Sequence, residues 1–148
     1  MKRFFATTIA LMAILFSTVS CGEFGKDTYE GIHGTWKLVA FCGHNTDADI
    51  YITLKEDSSF TLYQREDDLE YSLFVGTYIY DEATSMVTGE YANGKAWNSA
   101  YHITTLNAKS LVWESDTTPV EVSEYRRSEA PQIVTGSRAA IADVKPFL

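Results

Sequence analysis

Between Gly34 and Arg127 no window carries the apolar repeat of a three-turn helix; what recurs is alternation at every second residue. Residues 34–41, Gly-Thr-Trp-Lys-Leu-Val-Ala-Phe, set the pattern: Trp36, Leu38 and Ala40 share one face, and Lys37 lies on the other. Side chains of a strand point to opposite faces in turn, so this run reads as a half-buried strand with one aromatic anchor near its start. A chain built only of such runs has one large problem, the unpaired main chain at its sheet edges.

The runs that follow keep the rule. Residues 50–54 alternate with Ile50, Ile52 and Leu54 on one face, residues 59–64 alternate again, and the short polar connection makes the pair a hairpin. Residues 70–81 are apolar on both parities, with Tyr71, Leu73, Val75 and Ile79 against Phe74, Gly76, Tyr78 and Tyr80, so alternation leaves the inner face undecided. Gly76, in mid-strand, marks a bulge or a sharp bend. Residues 86–91 return the chain, and Asn93-Gly94 suits a turn that needs positive φ. Runs at 96–104, 109–115 and 120–127 complete eight expected strands, nearly all joined by short turns. Sequential hairpins favour an antiparallel up-and-down meander, and closing it into an eight-stranded barrel removes the edges. Such a barrel is filled by side chains or holds one small ligand.

The ends differ from this middle. Lys2-Arg3, an apolar stretch up to Val19 and small residues before Cys21 have the layout of a secretory signal peptide over residues 1–20. Thr7, Thr8 and Ser17 interrupt the stretch, which falls short of the roughly 20 apolar residues of a spanning helix. Thr18-Val19-Ser20-Cys21 resembles a bacterial lipobox, with threonine where leucine is usual. That resemblance implies lipid attachment at Cys21 and an anchor in the cell envelope, at the outer membrane; the alternative is ordinary cleavage nearby with Cys21 a thiol. Residues 21–33, with three glycines and scattered charge, read as the linker between lipid and domain. Beyond the barrel at 34–127, residues 128–148 form a tail. Ala139, Ala140, Ile141 and Ala142 suit a short helix over 137–144, which would pack on the wall, cover an open end or stay unfolded.

Removing residues 1–20 takes away Lys2 and Arg3 and no acid, and the formal charge goes from −8 to −10. That balance argues against nucleic acid as a partner, where phosphate contacts supply affinity. Two cysteines make no disulfide framework. Cys42 and His44 sit close in sequence, but His33 and His102 are distant and no zinc pattern forms, so no metal or other cofactor is expected.

Gly34-Thr35-Trp36 opening the first strand of an eight-strand meander, with Arg126-Arg127 closing the last, resembles the lipocalins. The order of the later pieces is similar to the lipocalin-like lipoproteins common in Bacteroidota. Those pieces are Ile52, Leu54, Phe60 and Leu62 in the hairpin, Gly76 and Tyr78, then Tyr101, Ile103, Leu106 and Leu111. The resemblance covers residues 34–127. It implies that Trp36 plugs one barrel end with an arginine over its indole, Arg126 or Arg127. The lipocalin motifs after the first strand are not legible here, which implies a narrower barrel.

Two functions fit this reading. In the first, the mouth opposite Trp36 holds a small apolar or amphipathic ligand, with Phe60, Tyr78, Tyr101 and Trp113 as candidate contacts. In the second, the rings only fill the core, and the module meets an envelope protein or inhibits one through its loops and outer wall, including the charged loop 65–70. An enzyme is not expected: no nucleophile motif, His–Glu helix or phosphate loop is present.

Overall fold

The computed structural model describes residues 31–65, 71–130, 138–139 and 144–148. Residues 1–30, with the signal peptide, Cys21 and most of the linker, lie outside the described residues, as do residues 66–70 of the charged loop and residues 137 and 140–143 of the expected helix.

Ten strands are described: β1 (Gly34–Phe41), β2 (His44–Asn45), β3 (Asp49–Leu54), β4 (Ser59–Arg65), β5 (Ser72–Asp81), β6 (Met86–Tyr91), β7 (Tyr101–Leu106), β8 (Ser110–Ser115), β9 (Val122–Arg127) and β10 (Arg138–Ala139). Leaving out the two short ones, β2 and β10, each strand pairs antiparallel with the next, and β9 returns to pair with β1. The meander is therefore a closed barrel in which each of the eight strands has a neighbour on both sides. Trp36, Leu38, Ile52, Leu54, Phe60, Leu62, Val87, Leu111, Trp113 and Tyr125 point inward and are almost fully buried.

On β5 the inward parity is Phe74, Gly76, Tyr78 and Tyr80, while Val75 and Ile79 face out, Ile79 being 73% exposed. Gly76 makes no bulge. It pairs in register with Phe60 on one side and Tyr91 on the other. A Cβ there would run into the Glu90 carbonyl, the Phe60 ring and the Tyr91 main chain, so glycine is required for close approach of the strands.

The strand expected over 96–104 starts later, at Tyr101. After the turn at Asn93-Gly94 the chain pairs back only briefly, with Tyr91 N donating to Lys95 O and Trp97 N to Gly89 O. It then leaves the ladder and rejoins β6 through Val87↔Tyr101 and Met86↔His102. The reason is Trp97: its indole lies on Gly89, where any Cβ would overlap the ring, and this carries the side chain into the core at 5% exposure.

No described residue is helical. Within the segment expected as a helix, Arg138–Ala139 instead run parallel to Ser72 and Leu73 of β5. β6 begins to pair with β5 only at Gly76, so the start of β5 has an open flank on that side, and β10 covers it.

Candidate functional site

The two ends of the barrel are closed in different ways. At the end where β1 starts, Trp36 is fully buried and donates its indole N–H to Ile32 O at 2.8 Å. The Arg127 guanidinium lies 4.1 Å from the indole centroid. Its nitrogens donate to three carbonyls, Ala108 at 2.7 Å, His33, and Gly31 at 3.0 Å. The charge is thus held by carbonyl dipoles and a ring face, two carbonyls coming from the segment before β1 and one from the turn between β7 and β8. Register settles which arginine does this. Trp36 stands directly opposite Arg127, so both point inward; Lys37 stands opposite Arg126, which is exposed. Gly34 has φ +128°, and a Cβ on it would collide with the same guanidinium, which accounts for the glycine two residues before the tryptophan.

Above this floor the interior is a stack of rings. Phe60 meets Tyr91 and Trp97 edge-on at 5.5 and 5.1 Å. Trp97 continues to Tyr101 and Trp113, and Trp113 to Tyr125 at 5.0 Å. Three polar atoms of this stack, Trp97 Nε1, Trp113 Nε1 and the Tyr125 hydroxyl, are buried without a hydrogen bond of normal geometry among the described residues, although Ser123 and Trp113 lie near enough to the Tyr125 hydroxyl to offset part of its burial. Each such group costs about 1–3 kcal/mol while unpaired.

The mouth is occupied by the chain itself. Leu148 is fully buried in the core cluster, and Phe147 packs edge-on against Phe41 at 5.5 Å. Gln64 falls on the inward parity of β4 and is 2% exposed. Its amide donates to Lys145 O and accepts from Phe147 N, both at 2.8 Å. The Tyr91 hydroxyl donates to the main-chain oxygen of Leu148 at 2.6 Å.

Two further hollows lie outside this axis. One of about 500 Å³ opens at the floor end, between Ile32, His33, Ser58, Tyr78, Tyr80 and Glu82. The other, of about 440 Å³, lies over the wall at Gly76 and touches Phe60 and Tyr91. The four candidate ligand contacts are thus divided. Tyr78 borders the floor hollow and donates its hydroxyl to Lys55 O at 2.8 Å; Phe60 borders the wall hollow; Tyr101 and Trp113 belong to the inner stack. Tyr91, Gln64 and Leu148 were not singled out from the sequence. Gln64 carried the available signal, a lone amide on the apolar parity after Phe60 and Leu62.

Burial raises the phenols of this interior. Tyr101 is pushed up to about 12, by desolvation first and then by the Glu121 charge. Burial also drives Tyr91 and Tyr125 upward, and Tyr78 to a lesser degree. In the unfolded chain a phenol ionises near pH 10. Above that pH the unfolded state binds fewer protons than the folded one, so stability is full below about pH 10 and falls towards about pH 12. Each phenol contributes up to about 1.4 kcal/mol per pH unit in that window. Urea midpoints should drop steeply between about pH 10 and 12, and Tyr101→Phe should soften the slope. A flat profile in the parent would show that these phenols are not held neutral.

The family model described as a lipocalin-like domain matches residues 32–113, from the segment before β1 to Trp113 of β8. Among solved structures, the chain is similar to a lipocalin-like protein from Bacteroides uniformis, with 15% identity and a TM-score of 0.54 over 70% of this chain and 100% of that one. At that identity the likeness speaks for the fold alone. A search of curated proteins found no match. The match spans more than half of the residues and all but the last strand of the closed ring; the chain belongs to the lipocalin-like domain family.

Proposed function

We propose that this chain is an envelope carrier, a lipocalin-like barrel tethered through a lipid on Cys21 that binds a small amphipathic molecule inside the barrel. The observation that carries the reading is the ring stack above Trp36, whose three buried polar atoms make no hydrogen bond of normal geometry among the described residues. Both indole nitrogens are donors only, so the molecule they suit offers an acceptor oxygen to them and an apolar body to the rings. No nucleophile motif or phosphate loop stands in the sequence, and carriage is the reading rather than catalysis. The tether rests on Thr18-Val19-Ser20-Cys21, and the outer membrane is the location it suits. More than one acyl chain gives a stable anchor. The acidic balance is in keeping with a partner that is neither nucleic acid nor a broad anionic surface.

The test is titration of the chain with an environment-sensitive fatty-acid dye, read by dye emission and by loss of tryptophan emission. Saturable binding that unlabelled lipid displaces is expected, because Trp97 and Trp113 lie in the stack. Absence of displaceable binding across lipid-like probes would sink carriage. Labelled fatty acid should enter the parent but not Cys21→Ala in cells, and equal labelling would sink the anchor.

A further inference from the structure

The mouth of this barrel is recognised by a peptide, and the peptide is its own. Among the described residues no main-chain to main-chain hydrogen bond ties residues 144–148 to the barrel. They are held by side chains instead. Gln64 reads the main chain at two points, Lys145 O and Phe147 N, on either side of Pro146, which has no N–H to satisfy. Tyr91 reads a third point, the Leu148 oxygen. Two apolar side chains complete the fit, Leu148 in the core and Phe147 against Phe41. A segment held this way is a ligand in its bonding. Its contacts are those a separate molecule would make, and its release breaks no strand ladder.

The same groups define what replaces it. The Leu148 position takes an aliphatic chain, the Tyr91 hydroxyl beside it takes a carbonyl or carboxylate oxygen, and the Gln64 amide offers a donor to a second oxygen. We propose that residues 144–148 are a resident competitor: they fill the site of an acyl ligand with an oxygen headgroup, and binding of that ligand expels them. The proposal rests on the carrier reading above and adds the ligand class and its control. A site closed most of the time by its own tail binds more weakly in proportion to the open fraction.

The experiment compares the full-length parent with Leu148→Ser, using a dansyl-labelled medium-chain fatty acid and a synthetic peptide of residues 144–148. Removal of the aliphatic anchor should tighten dye binding about tenfold, and the peptide added in trans should restore the weaker parental affinity. Equal affinity in parent and variant overturns the competitor while leaving carriage intact. Weaker binding in the variant also overturns it, because the tail is then part of the site. If neither chain binds the dye, carriage fails, and labelled peptide decides the tail site alone. Saturable binding to Leu148→Ser that Gln64→Leu abolishes sustains that site, and none overturns it. Circular dichroism checks that Leu148→Ser is folded; if it is not, Phe147→Ser, at a half-buried position, takes its place in each arm.

Discussion

Trp36→Ala is expected to lower stability by about 3–5 kcal/mol, the range for truncating a large buried ring. The indole is fully buried, so no solvent exposure discounts the loss, and three kinds of contact go at once. The cavity left among Ile32, Leu38 and Ile52 loses dispersion and transfer energy. The Ile32 carbonyl loses its donor, and the Arg127 guanidinium loses the ring face beneath it. Urea unfolding followed by far-ultraviolet dichroism measures this directly. A mutant midpoint within experimental scatter of the parent would remove Trp36 from its role as floor of the barrel.

Arg127→Leu is expected to cost about 3 kcal/mol, although the side chain is only half-buried. The cation–π contact contributes roughly 0.5–2 kcal/mol, and each hydrogen bond from a charged donor about 1.5–3 in favourable cases. Desolvation of the guanidinium offsets part of that sum. Arg127→Lys should recover little, since an ammonium cannot reach the Gly31, His33 and Ala108 carbonyls as a planar fork does. Arg126→Ala is the matched control, an exposed neighbour whose removal should stay within about 0.5 kcal/mol. Combined with Trp36→Ala in a cycle, Arg127→Leu should show a coupling of at least about 0.5 kcal/mol. Additive losses would mean the stacked geometry carries no energy of its own.

The barrel was legible in the sequence because alternation is the one signal a half-buried strand cannot lose. Residues 34–41 and 86–91 were bounded correctly, and most other strands within one or two residues, since turn formers flank them. Four features were not legible, each for a physical reason. The inner face of β5 was hidden because Val75 and Ile79 lie apolar on the outside wall, where no burial requires them. The start of β7 was displaced because Trp97 reads as a strand residue, whereas it crosses inward over Gly89 in a segment that has left the ladder. The tail in the mouth was missed because burial of Leu148 belongs to no periodic element. The choice between Arg126 and Arg127 needed the β1–β9 register, which no local pattern supplies.

The arginine clamp also bears on how fast the molecule folds. Seven of the eight seams in the ring join strands that follow one another, and each can zip from its own turn. The eighth, β1 to β9, joins the two ends of the barrel, and Arg127 reaches Gly31 across a separation of 96 residues. Closing a loop of that length costs about 4 kcal/mol of chain entropy, against about 1–2 for a hairpin. The contact that fastens this seam is therefore expected to form late, after the entropy has been lost. Loss of the guanidinium should therefore be felt in the unfolding rate, with refolding little changed. The residues that seal the floor act as the latch on a barrel whose last step is to meet its own beginning.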